Sequence, residues 1–204
     1  YYYDIPCFRY EKPQSGRLRQ FHQFGIETFG TPNMMADAEI ICLGYDFLTG
    51  MGIKDITLRI NSVGCPECRK KHRTALKDFL KPKYDELCDT CKDRYERNPL
   101  RIIDCKSPIC HELVQGAPMM VDYLCDECKD AFEDLKKNLE ALGIEYTVDP
   151  TIVRGLDYYT GTVYETTLLD HPEIGSVCSG GRYDDLAGYY IDKPLPGVGI
   201  SIGL

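Results

Sequence analysis

Arginine, glutamate, glutamine and one aromatic ring recur at alternate positions near the start of this chain, a pattern that suits a ligand site carried on strands. Cys7-Phe8-Arg9-Tyr10-Glu11 alternates, Lys12-Pro13-Gln14-Ser15-Gly16 has loop composition, and Arg17 to Glu27 can return as a second strand. A period of two places Arg9 and Glu11 on one face of the outgoing strand, and Arg17, Arg19, Phe21, Gln23 and Glu27 on one face of the return. Leu18, Phe24 and Ile26 are then expected to point the other way, into a core. Guanidinium groups stay charged and grip oxyanions in a fork, so such a face is built to hold a ligand. The plain alternative is the solvated outer face of an antiparallel hairpin.

Cysteine supplies the second chemical signal. Eight of the eleven cysteines fall as Cys65-x-x-Cys68, Cys88-x-x-Cys91, Cys105-x4-Cys110 and Cys125-x-x-Cys128. In a reducing compartment such pairs suggest Zn2+ before disulfides, and eight thiolates suit two structural tetrathiolate sites with no position left for water. A redox pair, an iron–sulfur cluster and unmetallated buried thiols are the other readings. Spacing leaves open how the four knuckles combine. Cys7, Cys42 and Cys178 stand alone and are expected in the core. His72 and His111 lie near enough in sequence to replace a cysteine ligand, against a surface or capping role.

Several elements must position these groups. Thr31-Pro32-Asn33 is a turn and start signal for an amphipathic helix through Ile40, Ile41, Leu43, Phe47 and Leu48, closed by Gly50 and Gly52. Residues 53 to 61 read as a strand. From about Gly64 to Gly143 the character changes to charged helices, expected near 67–80, 83–96 and 126–142. Ile144 to Val148, the residues after Arg154, Gly175 to Tyr183 and the run from Gly197 to Ile202 supply further strands. The predicted architecture is α+β: residues 1–64 and 144–204 form a mainly antiparallel sheet flanked by helices, and 65–143 form a helical cysteine-rich insertion.

A chain of 204 residues with 43% hydrophobic content can bury a sizeable core. No apolar run approaches the roughly 20 residues that cross a bilayer, and no targeting pattern opens the sequence, so a cytoplasmic location without membrane contact is expected. The net charge of −8 argues against a free-standing nucleic-acid binder. The chain opens in strand-like sequence and stops at Gly203-Leu204 inside another strand-like run, so a truncated chain is expected.

Two segments carry a family resemblance. The run from Phe8 to Gln23 resembles the second signature motif of class II aminoacyl-tRNA synthetases, in its histidyl-tRNA synthetase form. Arg154-Gly155-Leu156-Asp157-Tyr158-Tyr159-Thr160-Gly161-Thr162-Val163-Tyr164-Glu165 resembles the signature peculiar to the histidine enzymes, and Ser179-Gly180-Gly181-Arg182-Tyr183-Asp184 matches the same family. The resemblance implies ATP-dependent activation of histidine and its transfer to tRNA(His), by a ligase that works as a homodimer with ATP and Mg2+. It implies that Arg9 holds the first phosphate of ATP and Arg17 the distal ones, that Glu11 and Phe21 place the adenine, and that Arg154 approaches the reacting phosphate from the other side. Histidine would be held by Gln23, Glu27, Arg154, Tyr158, Tyr159 and Tyr183. A carboxylate can accept from an imidazole N–H and a phenol can complement the other nitrogen. The glycines at 197, 199 and 203 suggest either close approach to a flat ring such as adenine or simple strand packing. By the same resemblance a dimer-forming first motif precedes residue 1, a third motif with a phosphate-clamping arginine follows residue 204, and the insertion lies toward the acceptor arm of the tRNA. Two non-catalytic relatives are the alternatives: the histidine-sensing regulatory subunit of ATP phosphoribosyltransferase and a pseudo-synthetase domain that binds tRNA. Arg9, Arg17 and Arg154 together favour the enzyme.

Overall fold

The N-terminal alternation forms the expected hairpin in the computed structural model, which describes residues 1–10, 12–13, 18–153 and 158–204. Strand β1 (Tyr2–Phe8) pairs antiparallel with β2 (Gln20–Phe29), placing Cys7 opposite Phe21, and one further bond from Arg9 N to Arg19 O at 2.8 Å extends the ladder. Glu11, Arg17 and Arg154, three of the expected site residues, lie outside the described residues. Because β2 begins at Gln20, its alternation does not reach Leu18, which is 60% exposed instead of joining the core.

Helix α1 (Met34–Gly50) starts where the sequence signals it: the Asn33 side chain accepts from the Met35 amide at 2.8 Å, and Gly52 at φ +83° lets the chain turn away. Strand β3 (Ile56–Ser62) follows. Four helices come next: α2 (Pro66–Leu80), α3 (Asp89–Arg97), α4 (Pro108–Leu113) and α5 (Asp126–Ala141). The helix expected over 83–96 is broken, since Lys81–Glu86 winds as a 3-10 turn and α3 starts only after Cys88. Helix α4 was not foreseen. Strands β4 (Thr147–Val148), β5 (Thr162–Leu168), β6 (Ser176–Arg182) and β7 (Gly197–Gly203) complete the sheet, in the order β1-β2-β7-β6-β5-β3-β4. Every described pairing is antiparallel except β3 with β4, so the sheet is mixed by virtue of a two-residue edge strand.

The strands sort their side chains cleanly by face. Phe24, Leu58, Ile60, Tyr164, Cys178, Val198, Ile200 and Ile202 pack beneath α1 and α5 in the main core. Helix α5, whose first turn carries the second cysteine of the last pair, thus contributes Phe132, Leu135 and Leu139 to the layer under the sheet. Leu76, Leu80, Leu87, Ile102, Ile103 and Val114 form a separate apolar cluster within the helical segment. Cys178 is in the main core and Cys42 packs against it, as expected. Cys7 instead sits on the opposite face, its thiol 3.3 Å from Gln23 Oε1, because position 7 pairs with Phe21 and shares that strand's polar side. No described helix is long and apolar enough to cross a membrane.

Candidate active site

The polar face of the sheet floors a cavity of about 1050 Å³, and strand register decides which side chains enter it. One row across the strands runs Tyr3, Gly25, Ser201, Ser179, Glu165, Arg59. The next runs Glu27, Gly199, Gly181, Val163. Arg9, Phe21, Gln23, Glu27, Tyr158, Tyr159 and Tyr183 all line this one cavity, so every described residue that the resemblance assigns to ATP or histidine is brought together, whereas Arg19 does not line it. Tyr3, Arg59, Glu165 and Ser179 line it too and were missed, since their membership follows from cross-strand pairing that no single run reveals.

Glycine makes room for the polar side chains. A side chain at Gly199 would strike the Glu27 carboxylate, one at Gly181 would meet the Tyr159 ring at 2.8 Å, and one at Gly197 would collide with the Tyr183 ring. Gly180 lies where a Cβ would run into the Gly199 carbonyl, and this closeness lets the buried Tyr164 hydroxyl donate to Gly199 O at 2.8 Å. The glycines at 197 and 199 are therefore occupied by protein side chains, whereas a Cβ at Gly203 would meet nothing within 4 Å. Of the three, only Gly203 keeps open ground at the cavity edge.

Burial sets the electrostatics. It raises the Glu27 carboxyl, opposed in part by the Tyr183 hydroxyl, which donates to Glu27 Oε2. Tyr183 is pushed well up by burial and by this same carboxylate, and Tyr3 is pushed up to about 12, first by burial and then by Glu27. The three phenols at 158, 159 and 183 form one group: the Tyr158 ring lies 4.6 Å from Tyr159 and 6.0 Å from Tyr183. At the hairpin end the Arg9 guanidinium covers the Phe21 ring at 3.8 Å, and its Nε is buried with no partner among the described residues.

Arg182 points away from the cavity. It is 3% exposed and grips the fully buried Asp37 of α1 with two nitrogens, while Nη1 also donates to the Thr31 carbonyl and to Asp184. Burial raises the Asp37 carboxyl, the guanidinium pulls it back, and Arg182 is held charged. This pair ties β6 to α1 and so fixes Tyr183, the next residue. Nothing in the sequence separates Arg182 from the site arginines.

The eight paired cysteines gather into two sets. Cys65, Cys68, Cys125 and Cys128 form one, and Cys88, Cys91, Cys105 and Cys110 the other; within each set all sulfurs lie within 4.8 Å of one another, and all are free thiols. Cys65, Cys88 and Cys125 stand immediately before the first turns of α2, α3 and α5. Backbone amides donate to sulfur in both sets, Cys125 N to Cys68 Sγ at 3.1 Å and Cys88 N to Cys110 Sγ at 3.4 Å. Such groups can hold a metal ion. His72 and His111 join neither: the His72 ring is buried against the Pro118 carbonyl at 2.8 Å, and His111 is exposed.

The family model described as Histidyl-tRNA synthetase matches residues 1–87 and 111–204. The histidine--tRNA ligases of Caldanaerobacter subterraneus subsp. tengcongensis and of Thermoanaerobacter sp. (strain X514) are each 53% identical over 203 residues, covering 100% of this chain and 49% of theirs. Among solved structures, apo histidyl-tRNA synthetase from S. aureus is 35% identical with a TM-score of 0.76, covering 100% of this chain and 48% of that one. The Nostoc sp. PCC 7120 enzyme is 27% identical with a TM-score of 0.64, covering 99% and 51%. The chain thus spans about half the length of the curated relatives it matches. All four cysteines of the second set fall in the stretch between the two matched parts.

Proposed function

This chain belongs to the histidyl-tRNA synthetase family, and we propose on that premise that it activates histidine with ATP to histidyl-adenylate and passes the histidyl group to tRNA(His). An oxygen of the histidine carboxylate attacks the first phosphorus of ATP, the bond to the leaving pyrophosphate breaks, and the acyl-adenylate remains. Charge builds on phosphate oxygens, so catalysis is chiefly positioning and electrostatic stabilisation.

One observation carries the reading: a half-buried carboxylate, Glu27, shares a cavity with four phenols and with an arginine, Arg9, whose buried Nε has no partner among the described residues. Glu27 accepts the imidazole N–H while Tyr183 keeps its carboxylate oriented. Tyr158, Tyr159 and Gln23 enclose the rest of the amino acid. Apolar side chains are rejected because they would leave these groups unpaired. At the other end Phe21 stacks the adenine, and Arg9 must leave the face of that ring to reach the first phosphate, which couples nucleotide entry to placement of the charge. Arg17, Glu11 and Arg154 are assigned to the distal phosphates, the adenine and the reacting phosphate by their motifs alone, with Mg2+ accompanying the nucleotide.

The same reading makes residues 1–64 and 144–204 the catalytic part and 65–143 an insertion toward the tRNA, in a homodimeric cytoplasmic enzyme. The cysteine sets support structural Zn2+. A tetrahedron with bonds of about 2.3 Å has edges of about 3.8 Å, and the Cys65–Cys68 and Cys88–Cys105 sulfur separations are 3.4 and 3.9 Å.

Histidine-dependent exchange of labelled pyrophosphate into ATP tests the activity on the whole protein. Exchange lost on Arg9→Gln and on Glu27→Ala supports it. Absence of exchange in the unaltered protein with histidine binding retained would leave the sensing alternatives instead.

A further inference from the structure

The two cysteine sets sit in different mechanical positions. The chain leaves the sheet at the end of β3, and the first set begins three residues later at Cys65. It returns to the main core as α5, whose first turn holds Cys128. The first set therefore joins the exit and the return of the helical segment, linking positions 57 residues apart in the Cys68–Cys125 contact. The second set lies wholly inside that segment, with Cys91 and Cys110 in its own apolar cluster.

What the first set touches connects it to the cavity. Gly161 N donates to Gly64 O at 3.2 Å and Val63 N to Gly161 O at 2.7 Å, so the residue before Cys65 is bonded to the end of the Tyr158–Tyr159 segment. Arg69, one turn into α2, has its amide on Cys65 O and donates from Nη1 to the Tyr159 carbonyl at 3.0 Å. Cys65 and Cys128 share a cleft of about 300 Å³ with Thr160, Gly161 and Arg182. On its far side the segment is held by Thr160 N to Arg182 O at 2.8 Å.

We propose that Zn2+ bound by Cys65, Cys68, Cys125 and Cys128 acts as a clasp that positions the Tyr158–Tyr159 segment for histidine, whereas Zn2+ bound by Cys88, Cys91, Cys105 and Cys110 organises the interior of the helical segment and leaves histidine binding unchanged. Arg69 is the positioning residue between the clasp and Tyr159. The affinity arm of the test rests on the histidine reading of the cavity; the metal arm does not.

The test compares the unaltered chain with Cys65→Ser/Cys125→Ser, Cys88→Ser/Cys105→Ser and Arg69→Gln. Metal is counted by elemental analysis, amide exchange is followed over residues 158–161, and histidine affinity is read by calorimetry. Two zinc per unaltered chain and one in each cysteine variant are expected. Only the first cysteine variant and Arg69→Gln should exchange faster over 158–161 and lose histidine affinity, by roughly 10–100-fold, the scale on which a small misplacement of substrate-positioning groups is felt. Arg69→Gln keeps both zinc ions and all eight ligands, so it decides the matter if the cysteine variant fails to fold. Iron or no metal in the unaltered chain, both ions lost from either cysteine variant, or unchanged exchange in Arg69→Gln would each overturn the proposal. If the unaltered chain binds no histidine, the histidine reading fails while zinc count and exchange still judge the clasp.

Discussion

The glycine-floored sheet and the cysteine-bearing helices hold their polar groups by opposite means. On the sheet the backbone is fixed first, by seven strands in register, and glycine leaves vacancies into which Glu27, Tyr159 and Tyr183 fit. In the helical segment three pairs begin at helix N-termini, and the side chains must find one another across loops. The lesson is about where rigidity comes from: main-chain hydrogen bonds in one region, converging sulfur in the other. The two regions should therefore fail under different insults.

The largest effect is expected from Asp37→Ala, which takes the buried carboxylate from the Arg182 guanidinium between α1 and β6 and leaves it only the partly exposed Asp184 as a charged partner. Breaking such a pair costs about 3–5 kcal/mol. Urea denaturation should show that loss, and the double variant Asp37→Ala/Arg182→Met should recover part of it. A loss below about 1 kcal/mol would mean that the sheet is not anchored through this pair.

Metal removal should strike the other region. Stripping with a strong zinc chelator at neutral pH should expose residues 66–124 to protease, while exchange protection in β5, β6 and β7 persists. Simultaneous loss of both regions would abolish the distinction drawn between them.

Gly199→Ala is smaller in stability and sharper in function. The added methyl meets the Glu27 carboxylate across the β2–β7 pair, so Glu27 must move and histidine affinity should fall by roughly tenfold or more. Gly188→Ala is the control, since a Cβ there meets nothing within 4 Å and its effect should stay within about 0.5 kcal/mol.

How much of this was legible in the sequence follows from the same contrast. Alternation from Phe21 to Glu27 and the Thr-Pro-Asn start of α1 are local signals, and both appear in the structure. Glu27, Gln23, Tyr158 and Tyr159 were singled out through motif order, and they line one cavity. What the sequence could not give is whatever depends on who sits opposite whom. Leu18 lies beyond the first paired residue, Cys7 takes the polar face through its pairing with Phe21, and Arg182 turns inward to Asp37, 145 residues away. The combination of Cys65-x-x-Cys68 with the last pair, skipping two others, is long-range in the same sense. The helix expected over 83–96 is interrupted at Leu87 and Cys88, whose extended backbone separates the 3-10 turn from α3 and which charge periodicity alone does not mark.

The smallest effect has the most telling sign. Burial raises the Glu27 carboxyl above its ordinary range, with Tyr183 opposing only in part. A group whose native pKa lies above its unfolded value adds stability only while protonated, and that contribution fades as pH rises through the native value. Once pH has passed that native value, the ionised Glu27 is therefore a net cost to the fold. Glu27→Gln removes the charge and keeps an acceptor for the Tyr183 hydroxyl, so it should stabilise the chain at pH 7. The gain should stay under about 1 kcal/mol, since a partly exposed carboxylate is screened, and should shrink as pH falls into the carboxylate range. Histidine affinity should drop by roughly tenfold, because a charge-assisted bond becomes a neutral one. Serine in place of a first-set cysteine should lose stability and affinity together. A Glu27→Gln variant that is less stable than the parent at pH 7 would place Glu27 among the supports of the fold and erase the contrast between the two regions.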